Sequence, residues 1–233
     1  MLRAWPLIPI SLLLAALALA CGDDAGQPST PTTAATPSPA TSPAPSPIPS
    51  PATSPVLTPT PMTFPERPEI TISPDKKYFA TVETTKGTFR IKLRPDLAIQ
   101  TVNSFIFLAR EGYYDGVTFH RVIPDFMAQG GDPTGTGSGS PGYTLPAEFS
   151  DVPFERGTVG MARQPQDPDS GGSQFFIAYN DQYQPALNGQ YTVFGKVIEG
   201  MEVIDSLTPR DPANIATPQP SGDTITAIVI EEG

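Results

Sequence analysis

The chain has 233 residues, a formal net charge of -10, 30 prolines, 20 glycines and a single cysteine. The acidic balance argues against binding of nucleic-acid phosphates through bulk charge. The single cysteine excludes a disulfide bond within the chain. Because the prolines are concentrated near the N-terminus, roughly 155–160 residues remain for one domain with a hydrophobic core.

Residues 1–20 have the pattern of an export signal. Arg3 supplies a positive start, and the apolar run that follows ends in small residues before Cys21 and is too short for a membrane span. An ordinary signal peptide beside an accidental cysteine is one interpretation. The residues 18–21, ALAC, also resemble the bacterial lipoprotein cleavage box, although that family favours leucine at the position of Ala18. The resemblance implies lipidation of Cys21 and a membrane-anchored protein outside the cytoplasm, in the bacterial cell envelope.

Residues 21–74 have the composition of a disordered linker. Proline, threonine, serine and alanine dominate, so the segment offers little apolar surface to bury, and its prolines lack the donors that regular structure needs. Such a segment is a semi-rigid spacer that extends by about 3.1 Å per residue. The sequence therefore predicts a tether, followed by a folded domain over residues 75–233.

The folded domain begins with a predicted hairpin and a helix. Residues 78–93 alternate between apolar and polar side chains around a turn that contains Gly87. Apolar residues then recur at helical spacing, and these are Val102, Phe105, Ile106 and Ala109. This spacing predicts an amphipathic helix over residues 98–110, ended by Glu111-Gly112.

The segment 119–132, FHRVIPDFMAQGGD, is the part of the domain richest in candidate chemistry. Its first five residues alternate as in a strand. It places the cation Arg121 close to the large apolar side chains of Phe126 and Met127, and then adds the amide of Gln129. A surface cation lying over an aromatic ring is one interpretation of this arrangement. The other is a site that holds an apolar ring and offers a fixed donor to an amide.

Two further features of this region invite a catalytic interpretation that the residues do not support. His120 is the only histidine and has no second histidine or cysteine beside it, so we interpret it as a structural strand residue and expect neither a metal site nor a nucleophilic triad. The stretch 132–142, DPTGTGSGSPG, lacks the Gly-Lys-Ser/Thr ending of a phosphate-binding loop, and no helix pattern follows it. We expect a flexible loop beside a site.

The remainder of the domain predicts several short strands. They lie at 157–163, 173–178, 191–197 and 225–230, and a short helix is predicted at 199–207. Many short strands separated by glycine-containing turns, with two helices, indicate a mainly β fold, a closed antiparallel barrel.

Together these segments resemble the cyclophilins, the barrel-type peptidyl-prolyl cis/trans isomerases. The matching motifs are FHRVIPDFMAQGGDPTGTG at 119–137, GMAR at 160–163, SQFFI at 173–177 and YTVFGKVIEGMEVID at 191–205. The similarity spans residues 78–231, and the glycine-rich loop resembles that of the bacterial branch. The resemblance implies a closed eight-stranded antiparallel β-barrel capped by two α-helices, with no cofactor and no metal.

The resemblance also implies roles for individual residues. Arg121 is the implied catalytic residue, a hydrogen-bond donor to the prolyl nitrogen. The proline pocket is lined by Phe126, Met127, Phe176 and Leu187. Gln129 orients Arg121 and contacts the substrate, while Ala162 and Arg163 supply backbone contacts before the proline, with Gln174 nearby.

Two positions depart from well-known members of the family. Ala186 stands where many members have a tryptophan beside the pocket, which implies weaker inhibition of the cyclosporin type. Tyr191 stands where many have a histidine that faces the substrate, and it keeps a ring and a hydroxyl donor. These departures bear on inhibitor sensitivity and efficiency more than on the reaction itself.

The sequence leaves two functions in view. The first is a tethered, monomeric isomerase that accelerates X-Pro rotation in exported proteins and aids their folding. The second is a module that binds proline-containing segments, or acts as a chaperone, without useful turnover. In both cases the partners are proline-containing segments of exported proteins and, through lipid at Cys21, a membrane.

Overall fold

The computed structural model describes residues 62–214 and 218–233. The predicted signal peptide, Cys21 and the predicted linker as far as residue 61 lie outside these ranges. Within the described ranges, none of the helices has the length and apolar character needed to cross a membrane.

The described part of the chain contains eight β-strands and three α-helices. The strands are β1 (Tyr78–Thr84), β2 (Gly87–Leu93), β3 (Arg121–Ile123), β4 (Met127–Gly130), β5 (Thr158–Met161), β6 (Phe175–Ala178), β7 (Val193–Glu199) and β8 (Ile225–Glu232). The helices are α1 (Ile99–Arg110), α2 (Gln184–Leu187) and α3 (Met201–Asp205). The predicted hairpin, the long helix and the later strands are thus confirmed. The four-residue helix α2 was not predicted, because a single turn is too short to display helical periodicity.

All eight strands form one antiparallel sheet in the order β3-β4-β6-β5-β7-β2-β1-β8. The two end strands, β3 and β8, do not form a ladder with each other among the described residues. They are linked near their starts, where an isolated bridge joins Thr118 to Thr224 and the Phe119 amide donates to the Asp223 carbonyl over 2.8 Å. The sheet therefore curls toward closure but stays open along the β3–β8 seam, and the expected closed barrel is not confirmed.

Helix α1 covers the apolar interior of the curled sheet. Its Phe105 ring lies 5.8 Å from the ring of Phe175 on β6 and 5.4 Å from that of Phe194 on β7, measured between centroids. The helix ends in a Schellman motif, in which the Gly112 amide donates to Ala109 and the Tyr113 amide donates to Leu108. Gly112 has a φ of +70°, which a residue with a Cβ adopts only at a steric cost.

The first turn of α1 is capped from a distant part of the chain. Its N-cap residue, Ala98, makes no side-chain hydrogen bond, although helix N-termini leave four amides without intrahelical acceptors. The carboxylate of Glu148 accepts hydrogen bonds from the amides of Gln100 (3.0 Å) and Thr101 (2.9 Å), and from the Thr101 hydroxyl (2.8 Å). A negative charge at this end also interacts favourably with the helix dipole.

The last residues of the predicted linker pack against the domain. The ring of Phe64 lies 5.0 Å from that of Phe107, and its amide donates to the Pro141 carbonyl over 2.8 Å. The buried side chain of Asn103 on α1 accepts from the Thr71 amide and donates to the Glu69 carbonyl, each over 2.9 Å. Contacts to the domain therefore begin well before residue 75.

The contacts of Glu148 predict a loss of stability when its carboxylate is removed. We expect Glu148→Ala to lower the free energy of unfolding by about 1–2 kcal/mol, because two amides and a hydroxyl lose their acceptor. Urea titration followed by circular dichroism measures this loss. Glu66→Ala, which removes an exposed carboxylate from an irregular segment, is the control. A Glu148→Ala variant as stable as this control would contradict the capping role.

Candidate functional site

The candidate site is built on a row of residues that lie side by side across four strands. Arg121 on β3 pairs with Gln129 on β4, and Gln129 pairs with Phe176 on β6. Phe176 in turn pairs with Gly160 on β5. Directly opposed residues of neighbouring strands project to the same face of a sheet, so this row forms one surface.

The alternate residues of the same strands project to the opposite face. Val122, Ala128, Ile177 and Val159 are all buried in the main core under α1. Because successive side chains of a strand alternate between faces, the register that buries these four residues also presents the row of Arg121 on the other side.

An apolar wall lies beside this row and forms a second hydrophobic cluster, separate from the main core. Its buried members are Met127, Phe154, Phe176, Ala178, Leu187 and Val193. Partly buried residues packed against them include Phe126, Ala162 and Tyr191. The structure therefore brings together the four residues predicted to line the proline pocket, Phe126, Met127, Phe176 and Leu187, and places Ala162 and Tyr191 against them.

Arg121 lies at the open end of this wall. Its side chain is 38% exposed, its guanidinium carbon lies 5.9 Å from the centre of the Phe126 ring, and its Nε lies 3.9 Å from Oδ1 of Asp211. An ion pair of this length and exposure contributes little energy, so Arg121 remains accessible to a ligand. A surface cation over a ring and a fixed donor beside an apolar site would both explain the contact between Arg121 and the Phe126 ring. Only the donor interpretation also explains why an apolar wall lies next to Arg121.

The amide of Gln129 is held by a second amide. Its Nε2 donates to Oε1 of Gln174 over 3.0 Å. The Nε2 of Gln174 in turn donates to the carbonyls of Gly137 (3.0 Å) and Gly139 (2.9 Å). The side-chain hydrogen bond of Gln129 within the described residues thus connects it to Gln174 and the glycine-rich loop, whereas the family resemblance implied that Gln129 orients Arg121.

Asp132, the first residue of the glycine-rich loop, holds the rest of that loop through hydrogen bonds to its side chain. Its carboxylate accepts hydrogen bonds from the Thr134 amide and hydroxyl, each over 2.7 Å, and from the Gly137 amide. Burial by itself raises the pKa of Asp132, but the hydrogen bonds from Thr134, Gly139 and Gly137 outweigh it and hold the pKa below its ordinary value. The loop is therefore fixed around a buried carboxylate.

His120 is buried under the same loop. Burial lowers the pKa of His120 below its ordinary value, so the folded protein favours the neutral ring. Within the described ranges, no group of three or more histidine, cysteine, aspartate or glutamate side chains is arranged to hold a metal ion. Its burial and neutral ring agree with the structural role inferred for His120.

Arg163 and Ala162 lie at the far side of the wall from Arg121. The Ala162 amide donates to the Gln174 carbonyl over 2.9 Å, and the Arg163 guanidinium carbon lies 4.7 Å from the centre of the Tyr191 ring. Tyr191 makes an edge contact with Phe176, with 5.5 Å between ring centroids. Ala186 is exposed on α2, and its methyl side chain adds little apolar surface beside the wall.

Sequence reasoning missed two neighbours of the site. Phe154 is fully buried and stacks on Phe176, with ring centroids 5.4 Å apart and an interplanar angle of 14°. Asp211 lies beside Arg121 because the neighbouring Arg210 forms an isolated bridge with Val122. Both Phe154 and Asp211 belong to irregular segments, where no hydrophobic period marks a residue as close to the sheet.

Comparison with known proteins identifies the family. Residues 79–230 match the family described as cyclophilin type peptidyl-prolyl cis-trans isomerase/CLD. The chain belongs to the cyclophilin-type peptidyl-prolyl cis-trans isomerases. The matched region takes in the whole row of paired residues and the apolar wall, so the candidate site lies within the cyclophilin domain.

Individual cyclophilins are similar over the same region. A probable peptidyl-prolyl cis-trans isomerase of Brucella suis is 52% identical over 133 residues, covering 52% of this chain and 66% of the relative. Peptidyl-prolyl cis-trans isomerase B of Bacillus subtilis is 48% identical over 136 residues, covering 58% of this chain and 91% of the relative. A crystal structure of a Cryptosporidium parvum cyclophilin, determined in the presence of the dipeptide Ala-Pro, has a TM-score of 0.59 and 33% identity, covering 66% of this chain and 98% of that one.

The packing of Phe154 and Phe176 depends on the absence of a side chain at residue 160. A Cβ on Gly160 would lie 2.7 Å from ring atoms of both Phe154 and Phe176. We expect Gly160→Ala to force the rings apart and to lower the free energy of unfolding by about 1–3 kcal/mol, as overpacking does. Urea unfolding and the near-ultraviolet dichroism of the aromatic rings measure the change.

A second substitution distinguishes ring overlap from a general effect of alanine at this position. Because Phe154→Leu removes one of the two rings that a Cβ at residue 160 would meet, the double variant is expected to lose less stability than the two single losses added together. Simple additivity would show that the loss does not come from overlap with the Phe154 ring. A Gly160→Ala variant as stable as the parent would show that the wall tolerates a side chain there.

Proposed function

We propose that this cyclophilin catalyses cis/trans isomerisation of X-Pro peptide bonds, with Arg121 as the catalytic donor. The observation that supports the proposal most directly is the position of Arg121, a half-exposed cation at the edge of a buried apolar wall and on the same sheet face as Gln129 and Phe176. The arrangement provides a pocket for an apolar ring and a donor beside the ring's amide.

The chemistry of the reaction requires no covalent step. The barrier to rotation, about 18–20 kcal/mol, arises from amide resonance, and X-Pro bonds turn over in tens of seconds or more. A donor aimed at the prolyl nitrogen favours its pyramidal form, in which the resonance is lost. A guanidinium is suited to this role because it is a planar, charged donor and has several N–H groups in a fixed geometry.

The other site residues then divide into holding and positioning roles. In this proposal the proline ring packs against the wall formed by Phe126, Met127, Phe176 and Leu187, which excludes water from one side of the bond. The backbone of Ala162 and Arg163 binds the residues before the proline, and Gln129 contacts the substrate while Gln174 holds it in place. A preorganised donor stabilises a transition state most effectively in such a partly dry site.

Loss of the Arg121 donor is expected to abolish most of the rate enhancement. If the donor contributes about 3–4 kcal/mol, Arg121→Ala lowers kcat/KM by about 10²–10³ with a smaller change in peptide affinity. Isomerisation of a short X-Pro peptide, followed by exchange NMR, measures both quantities. Arg110→Ala, which removes a surface arginine outside the site, is the control.

The same measurement separates catalysis from binding alone. Equal rates for the parent and Arg121→Ala would show that another group is the donor. Bound peptide with no acceleration by the parent would favour the alternative function, a module that binds proline-containing segments without turnover. In that case the site still binds proline-containing peptides, and the isomerase proposal fails.

We also propose that the domain works outside the cytoplasm, on a lipid anchor at Cys21, where it aids the folding of exported proteins as a monomer. The support is the pattern of residues 1–20, the small residues that precede Cys21, and the proline-rich composition of the tether. Two or more acyl chains anchor a protein stably, whereas one gives only reversible binding.

The anchor predicts a change of cell fraction when the cysteine is replaced. Expressed in a bacterial host, the full chain is expected in the membrane fraction with a lipid mass on a mature chain that begins at Cys21. Cys21→Ser is expected to move it to the non-membrane fraction, since serine cannot carry the thioether-linked lipid. Mass spectrometry of both fractions measures this, and an unmodified Cys21, or a mature chain that begins elsewhere, would overturn the anchor.

A further inference from the structure

The row of paired residues that carries the site extends one position beyond Arg121. Val122 and Arg210 form an isolated antiparallel bridge, in which the Val122 amide donates to the Arg210 carbonyl over 2.7 Å and the Arg210 amide donates to the Val122 carbonyl over 2.9 Å. Antiparallel partners advance in opposite directions along the chain, so this register places Asp211 opposite Arg121. Directly opposed residues project to the same face, and Asp211 therefore joins the face that carries Arg121 and Gln129.

Asp211 is the charged partner of Arg121 in the described part of the chain. Its Oδ1 lies 3.9 Å from the Nε of Arg121, and no other ion pair between described residues involves Arg121. The side-chain amide of Gln129, to which the family resemblance assigned the orientation of Arg121, instead donates to Gln174. The charged group beside the guanidinium is thus a carboxylate from the segment between α3 and β8.

The carboxylate of Asp211 is itself held in place. Its Oδ1 accepts a hydrogen bond from the Ala213 amide over 3.1 Å, and the Asp211 amide donates to Oε1 of Gln219 over 3.0 Å. The Asp211 carbonyl accepts from the Asn214 amide over 2.9 Å. Because the backbone and the side chain of Asp211 are both anchored, little conformational entropy is lost when its carboxylate faces Arg121.

The edge of the guanidinium that Asp211 faces bears on catalysis. A guanidinium is a planar fork whose five N–H groups have fixed directions. A carboxylate beside Nε occupies that edge and leaves the terminal Nη groups for the amide of a substrate. Both side chains are 38% exposed, so the pair adds little to stability. An exposed pair of this kind still changes the population of one orientation by about two- to five-fold.

We infer that Asp211 is a positioning residue, which holds the guanidinium of Arg121 by its Nε edge so that the Nη groups face the proline site. The inference rests on the proposed function, in which Arg121 is the donor to the prolyl nitrogen. It adds to that function a residue that acts through Arg121 and does not itself touch the substrate.

Replacing the carboxylate with an amide tests the inference in the full chain. Asp211→Asn removes the charge but keeps an oxygen that can accept from the Ala213 amide, so the local turn is retained. We expect kcat for a short X-Pro peptide at low salt to fall about two- to five-fold with little change in KM, because the donor is less often oriented while the pocket is unaltered. High salt is expected to reduce the difference between parent and variant.

Two further variants separate positioning from a general effect of charge or folding. Asp205→Asn is the matched control, because it also removes one negative charge and one arginine partner, Arg156, away from the row. It is expected to keep the kcat of the parent. Asp211→Ala removes the acceptor of the Ala213 amide as well as the charge. A loss of kcat in Asp211→Ala that is absent from Asp211→Asn would show that the turn matters and would overturn the inference.

A double-variant cycle shows whether Asp211 acts through Arg121. In the Arg121→Ala background, Asp211→Asn is expected to cause no further loss of kcat, because no guanidinium is left to orient. Losses that multiply independently would show that Asp211 acts elsewhere, and a kcat that is unchanged or raised in Asp211→Asn alone would also overturn the inference. In each of these cases the isomerase activity of the parent remains.

The NMR signal of the Arg121 Nε–H group gives a readout that does not depend on turnover. It is assigned by its loss in Arg121→Ala, and we expect it to shift and to exchange faster with water in Asp211→Asn but not in Asp205→Asn. A signal that stays unmoved in Asp211→Asn overturns the inference. If the parent turns over no peptide, or Arg121→Ala is as fast as the parent, the proposed function fails, and this signal alone decides whether Asp211 orients Arg121.

Discussion

The two-residue period of the strands is the constraint on which the candidate site depends. In β3, β4, β5 and β6 one set of alternate residues enters the core beneath α1, and the other forms the surface that carries Arg121. A shift of register by a single residue would bury Arg121 and expose Val122. The energy that fixes the site is therefore the energy of burying the core, at about 25 cal/mol per Å² of apolar surface.

Glycine permits the close approaches on which the site surface is built. Gly160 leaves room for the stacked rings of Phe154 and Phe176, and the glycine-rich loop bends closely around the carboxylate of Asp132. The amides of Gln129 and Gln174 then connect that loop to the sheet. The site is thus an apolar wall on a rigid sheet, bordered by a loop that hydrogen bonds hold in place, and such preorganisation favours a reaction that depends on positioning and one well-placed donor.

Much of the fold followed from local patterns. Alternation predicted the hairpin of β1 and β2, and the helical spacing around Phe105 predicted α1, because each of these elements buries one face along its own length. The sheet remains open at the β3–β8 seam, where a closed barrel was expected, since closure depends on pairing between segments distant in sequence. The roles of Arg121 and its neighbours came from motifs of a known family, and they remain a proposal that the geometry supports.

The sequence by itself determined the family, the acidic charge, the positions of most strands along the chain and four of the residues at the wall, Phe126, Met127, Phe176 and Leu187. Only the tertiary structure decided which partners those residues have. Glu148 caps a helix nearly fifty residues earlier, Phe154 stacks on Phe176, and Phe64 extends the domain into the predicted linker. The physical reason is that periodicity records which face of an element is buried, whereas these contacts join segments that share no period and meet only when the sheet curls.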